Sequence, residues 1–171
     1  KAEDVQKILN LKHAWEFILD KDVAISKSDY YLSSYIAKIV NEGFYLVGGK
    51  IRNIPVTIGR SSYVPPIPME VDVKEKIENI LNSKANDIDK AIDLCLFVMK
   101  TQIFNDGNKR TAVIFANHYL ISKGLGLLII DFNKVKEFKQ LLVKYYEDKD
   151  TNNIKIFLKG CVANLKEIKT K

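Results

Sequence analysis

Cysteine is scarce in this chain of 171 residues: there are two, Cys95 and Cys161. Each stands inside an apolar stretch with no partner at metal-ligand or redox spacing, so neither a zinc motif nor a thiol catalyst is predicted and both read as small core residues. Long hydrophobic runs are missing too. The longest, Leu94 to Met99, falls far short of the ~18 residues of a membrane span. Lys1-Ala2-Glu3-Asp4 leads directly into a helical period rather than a signal peptide, and the expectation is a soluble, cytoplasmic protein with no membrane partner. Internal repeats, low-complexity tracts and linkers are lacking, so 171 residues at 47% hydrophobic are read as one domain, 1–171, with material for a sizeable core. An excess of one charge is present but diffuse. The net charge of +6 comes from 27 basic residues scattered among 21 acidic ones, a pattern of solvated helix faces that does not predict nucleic acid as a partner.

What is there is helical periodicity. Val5, Ile8, Leu9, Ala14, Trp15, Ile18 and Leu19 trace one helix; Leu32, Ile36, Ile39 and Val40 trace a second that runs to Gly43 behind Ser26-Lys27-Ser28-Asp29, which resembles a capping box. Val71, Val73, Ile77, Ile80 and Leu81 predict another, and two more are expected over about Asn133 to Tyr146 and Asn152 to Ile168, after a short extended segment at Leu127 to Ile130. Val56 and Ile58 alternate with polar neighbours as a short strand, Gly59-Arg60 would turn it into a second, and Pro65, Pro66 and Pro68 would end the pair. The predicted class is all-α with one β-hairpin, at about 53–66.

Between the two most apolar helical segments, Ile88 to Met99 and the one carrying Ala112, Val113, Phe115, Ala116, Tyr119 and Leu120, lies Phe104-Asn105-Asp106-Gly107-Asn108-Lys109-Arg110-Thr111. A helix opening near Lys109 would present unpaired N–H groups and a partial positive charge to an anion. Gly107 permits the tight turn that aims those groups at one point. Arg110 can grip two phosphate oxygens in one plane, and Lys109 adds a point charge. Asp106 suits such a site when a cation sits between it and the phosphate, as Mg²⁺ does. The bland alternative is a solvated turn, with Asn108 as an ordinary N-cap.

The segment is similar to the signature of the Fic/Doc superfamily, His-x-Phe-x-(Asp/Glu)-Gly-Asn-(Gly/Lys)-Arg, which joins two central helices. Phe104, Asp106, Gly107, Asn108, Lys109 and Arg110 match; Gln102 stands at the position of the catalytic His. Upstream, Gly49-Lys50-Ile51-Arg52 resembles the family's Gly-x-x-Arg, and Tyr63-Val64-Pro65-Pro66 its Tyr-x-Pro-Pro, on either side of a flap hairpin. The likeness spans roughly Asn10 to Gly124. It implies a single Fic-like helical domain that transfers AMP from ATP to a hydroxyl of a target protein. Asp106 would hold Mg²⁺; Gly107, Asn108, Lys109 and Arg110 would bind the nucleotide phosphates. Ile58, Gly59, Arg60 and Ser61 would form the flap that clamps the target by main-chain pairing.

Two departures qualify that expectation. Gln102 carries a carboxamide, which orients a hydroxyl but takes no proton at neutral pH, and loss of a general base typically costs ~10² to 10⁴-fold in rate. Val113 stands where many Fic proteins have a second Arg. Lys109 and Val113 both resemble the Doc toxins, which phosphorylate their targets. The readings are therefore a slow or degenerate adenylyltransferase, a non-catalytic nucleotide- or protein-binding module, and a Doc-like kinase. No internal (Ser/Thr)-x-x-x-Glu-(Gly/Asn) lid is found, since Glu42-Gly43 and Glu78-Asn79 follow Lys38 and Lys74; an inhibitory partner, or a segment preceding residue 1, is the alternative expectation. His13 and His118 are read as structural.

Overall fold

Why the chain folds around one helix is visible in the burial of Ile114, Phe115, Ala116, Asn117, His118, Tyr119 and Leu120, seven consecutive residues lost from solvent. In this computed structural model, which describes residues 1–44, 48–164 and 166, that helix is α6 (Asn108–Ser122), and its antiparallel neighbour is α5 (Asp87–Thr101). A helix without a polar face must be covered on all sides. α6 is packed by α5, by α1 (Ala2–Leu19), by α3 (Tyr30–Val40) and by β1 (Leu127–Leu128), with the short α2 (Lys21–Ala24) at its flank. Leu94, Cys95, Val98 and Met99 of α5 belong to one core cluster with Phe115 and Ala112 of α6. Full burial of side chains such as Leu94 or Phe115 contributes about 1.5–3 kcal/mol each. α4 (Glu70–Leu81) and α8 (Asn153–Gly160) lie against α5, and α8 also packs on α7 (Val135–Tyr146), where Phe138 and Phe157 stack 6.1 Å apart.

The all-α class expected from periodicity is what the described residues form, with eight α-helices and one two-stranded antiparallel sheet. That sheet lies elsewhere than expected. β1 pairs with β2 (Val162–Ala163) in the register Leu127↔Ala163 and Leu128↔Val162. The pairing depends on Gly126, where a Cβ would stand 2.1 Å from the Ala163 carbonyl oxygen and where φ is +135°. Asn117 of α6 anchors β1 by accepting from the Leu128 N–H at 2.7 Å and donating to its carbonyl at 3.0 Å.

Segment 53–66 has the turn but not the ladder. The Ser61 N–H closes on the Ile58 carbonyl at 3.2 Å, with Arg60 at φ +67°, while none of these residues forms a strand. Val56 and Ile58 supply too few alternating positions to pair with a segment that runs at once into three prolines, whose missing N–H groups and fixed φ oppose a ladder. The expected helix over 152–168 stops at Gly160 and gives way to β2, and 165 and 167–168 lie outside the described residues. α3 ends at Val40, three residues short of Gly43, and its cap is Asp29, which accepts from the Leu32 N–H at 2.9 Å. The serines of the expected capping box are used otherwise: Ser28 meets His118 and Ser26 meets the Val23 carbonyl. Among the described residues no helix is long and apolar enough to cross a membrane.

Candidate functional site

α5 ends at Gln102, whose φ of 51° and ψ of 59° put it in the left-handed region. That conformation costs a side-chain-bearing residue roughly 1–2 kcal/mol, and neighbouring bonds offset it. Chief among them is Arg52, fully buried and, among the described residues, without a carboxylate partner. Its Nε donates to the Gln102 carbonyl at 2.7 Å, Nη1 to Ile54 O at 2.7 Å, and Nη2 to Pro66 O at 2.7 Å and Thr101 O at 3.3 Å. One guanidinium thus ties the end of α5 to both ends of segment 53–66. Burial pushes its pKa below the usual arginine value, yet arginine remains charged in proteins. The Arg52 N–H adds a 2.7 Å bond to Ile103 O, beside an isolated bridge between Ile51 and Phe104.

Asn108 holds the other side of the loop. Its Oδ1 accepts from the Phe104 N–H at 2.9 Å, and its Nδ2 donates to Phe104 O at 2.8 Å and to Gln102 Oε1 at 3.3 Å. It is not the N-cap. Gly107 occupies that place at φ +70°, and α6 has no side-chain cap at all. A Cβ on Gly107 would lie 2.8 Å from Asn41 Oδ1 and 2.9 Å from Val40 Cγ1, so only glycine lets the loop approach α3 this closely. Asn41 in turn donates to Asp106 O at 3.0 Å and Gly48 O at 3.3 Å.

The result is a rigid loop over an uncapped helix N-terminus. Around it lie buried polar atoms with no bonding partner among the described residues: Arg110 Nη1, Asn105 Oδ1, Asn41 Oδ1 and Thr111 Oγ1. Buried polar groups are nearly always paired, and four such atoms at one loop fit a polar ligand. Asp106 is exposed, and no group of three metal-binding side chains occurs among the described residues. A single carboxylate completed by phosphate oxygens and water is a usual setting for Mg²⁺, so the donor set fits that ion only together with a nucleotide.

Lys109 points the other way, into a groove of about 1170 Å³ between the turn Ile58–Gly59–Arg60 and one face of α7. Loss of hydration, then the neighbouring Lys139 charge, lowers its pKa. The groove brings Ile58, Gly59, Arg60 and Lys109 together; Gln102, Asp106, Gly107, Asn108 and Arg110 do not line it. Ser61 is held at its end, donating to Glu147 Oε2 at 3.3 Å. The side chain of Gln102 is also committed, its Nε2 donating to Met99 O at 2.6 Å while Oε1 accepts from Asn108. His118 is enclosed far from solvent and bonded to Ser28 and the Val23 carbonyl, and His13 is exposed on α1.

Sequence reasoning missed Asn41 and Glu147 and the clamp made by Arg52. Only Arg52 left a signal, in its motif; the partners of the others are set by distant contacts.

The sequence pattern of the Fic/DOC family matches residues 30–120, more than half of the chain and inclusive of Arg52, the 53–66 segment and the loop. The chain belongs to the Fic/DOC family. Comparison with curated proteins by sequence gives no significant match. Similar solved structures include a segment of Fic-1 from C. elegans, with a TM-score of 0.67 at 19% identity over 90% of this chain and 46% of that one. A variant of the same protein gives 0.71 at 17%, over 94% and 49%. A Fic domain containing signaling protein from Bacteroides thetaiotaomicron gives 0.72 at 15%, over 94% and 69%. At such identities the likeness speaks for the fold, and the chain spans about half the length of the C. elegans chains.

Proposed function

We propose that this Fic domain binds ATP at the loop 106–110 and transfers AMP slowly to a hydroxyl of a target protein. The observation that carries this reading is Arg110 Nη1, buried without an acceptor beside the uncapped N-terminus of α6. A phosphate would supply the missing acceptor and meet the free N–H groups at once. Asp106 would hold Mg²⁺, whose charge offsets that of the phosphates. In the transfer, the target oxygen bonds to the α-phosphorus, pyrophosphate leaves, and the hydroxyl proton is lost. With Gln102 where the family has its His, no side chain at that position accepts the proton, and water must do so. Gly107, Arg110 and the helix N-terminus still position and neutralise the phosphates, terms that survive the loss of a base.

A second reading is a non-catalytic nucleotide-binding module. The committed carboxamide of Gln102, bonded at both its nitrogen and its oxygen, favours it. The experiment is mass spectrometry after incubation of the protein and a host lysate with ATP and Mg²⁺, for the natural chain and for Gln102→His. A histidine titrates near neutral pH, and modification is expected to rise by ~10² to 10⁴-fold, by AMP rather than by the phosphate a Doc-like kinase would add. If Gln102→His folds, binds ATP and modifies nothing above the natural chain, the binding module is the correct reading.

A further inference from the structure

Asn41, the residue on which α3 ends, is 1% exposed and lies against the phosphate loop. Its Nδ2 donates to Asp106 O at 3.0 Å and to Gly48 O at 3.3 Å, and two carbonyls on one side fix which atom of the carboxamide is the nitrogen. Among the described residues the Asp106 carbonyl has no other donor. In a regular helix start it would accept from the Arg110 N–H four residues on; drawn to Asn41 instead, it leaves that N–H free. The 106–107 peptide is trans, and its planarity sets the Gly107 N–H antiparallel to the Asp106 carbonyl. With the carbonyl held towards α3, the N–H points away from it. Among the described residues neither this N–H nor those of Asn108, Lys109 and Arg110 donate to anything. Gly107 is left-handed, at φ +70° and ψ 20°, and Asn108 opens a right-handed helix. Residues of opposite hand in succession gather consecutive N–H groups into one anion-binding concavity. Which way that concavity faces is set by the 106–107 peptide.

We infer that Asn41 is a positioning residue: its carboxamide holds the Asp106 carbonyl against α3 and so aims the Gly107 N–H, with those of Asn108 and Lys109, at the nucleotide phosphates. This role rests on the proposed ATP binding and adds to it a side chain that does not touch the ligand. Both hydrogens of Nδ2 are used. Oδ1, unpartnered among the described residues, is an acceptor like the phosphate oxygens, so the side chain has no donor left to offer them. The fit is close. A Cβ on Gly107 would stand 2.8 Å from Asn41 Oδ1, so the carboxamide lies directly against the residue whose N–H it aims. Arg52 and Asn108 fix residues 101–104 of the same loop, and Asn41 alone among the described side chains fixes the 106–107 peptide.

The test combines nuclear magnetic resonance of the isotope-labelled protein with calorimetry of ATP and Mg²⁺, on the natural chain, Asn41→Leu and Asn10→Leu. Asn10 is the control. Equally buried, it donates to Val40 O at 3.0 Å and Glu42 O at 2.8 Å at the same helix end without reaching the loop. Residual dipolar couplings report the direction of each N–H in the free protein. In Asn41→Leu the Gly107 coupling should leave its natural value while those of α6 beyond Thr111 stay, and ATP affinity should fall about tenfold or more, since bonds to a charged acceptor are the strong kind. Asn10→Leu should melt lower yet keep both. If Asn41→Leu does not fold, Asn41→Ala, which leaves room for water, takes its place. An unchanged Gly107 coupling, undiminished affinity, or an equal loss of affinity in Asn10→Leu would overturn the inference. So would a coupling in the natural chain that does not fit an N–H directed away from α3, whatever the variants do. A natural chain that binds no ATP, with a Gly107 coupling that moves in Asn41→Leu, would remove the nucleotide reading and leave Asn41 as the group that aims the peptide.

Discussion

Arg52 replaces what a shorter or softer cation could not: three nitrogens of one planar group reach four carbonyls on three stretches of chain. Removing such a donor breaks four part-buried bonds to a charged group, a kind typically worth about 1.5–3 kcal/mol each. Arg52→Lys should therefore destabilise by about 3 kcal/mol or more, because an ammonium on a flexible stem cannot span the fork, and denaturant unfolding measures it. Stability within 1 kcal/mol of the natural chain, roughly the worth of a single hydrogen bond, would show that the clamp is dispensable. Gly-x-x-Arg was legible in the chain, but its purpose was not, since its partners lie up to fifty positions away. Asn108 illustrates the same limit. Read locally it is a helix cap; in the fold, Phe104 and Gln102 recruit its side chain and Gly107 takes the terminus.

Elements were legible to the degree that their signal is repeated. α5 and α6 recur in apolar positions over four turns and were placed to within a residue or two, whereas two alternating residues at Val56 and Ile58 could not specify a strand pair. β2 is two residues long and its pairing with β1 is decided by a close approach at Gly126, which no local pattern announces. The packing of α6 against α2 and α3 carries its own test. His118 donates from Nε2 to Val23 O at 2.7 Å, and its Nδ1 lies 2.6 Å from Ser28 Oγ, which donates to it when the ring is neutral. Burial, against smaller opposing effects of the Val23 bond and Asp29, lowers its pKa below 6.5. The unfolded chain then takes up the proton first as pH falls, so this contribution is complete above about pH 6.5 and is lost progressively below it. The melting temperature of the natural chain should fall more steeply from pH 7 to pH 5 than that of His118→Gln. Parallel profiles would mean that the ring is not buried neutral.

At the scale of the whole molecule, the all-α class and the place of the loop between two buried helices were readable because both rest on periodicity and on a dense motif. The groove beside α7 was not readable as a basic one. Twenty-seven cations spread among twenty-one acids look like ordinary surface, and only the fold gathers five of them where no acid follows. Nor could the sequence show that Lys109 faces this groove while Arg110 turns inward with a buried, unpartnered nitrogen. That inward nitrogen bears most directly on the central claim, that the loop binds nucleotide phosphate. Isothermal calorimetry of ATP with Mg²⁺ should give saturable binding to the natural chain, reduced about tenfold or more in a folded Arg110→Ala through loss of a charge-assisted contact worth about 1.5–3 kcal/mol. No binding to the natural chain, or undiminished binding to Arg110→Ala, would contradict it.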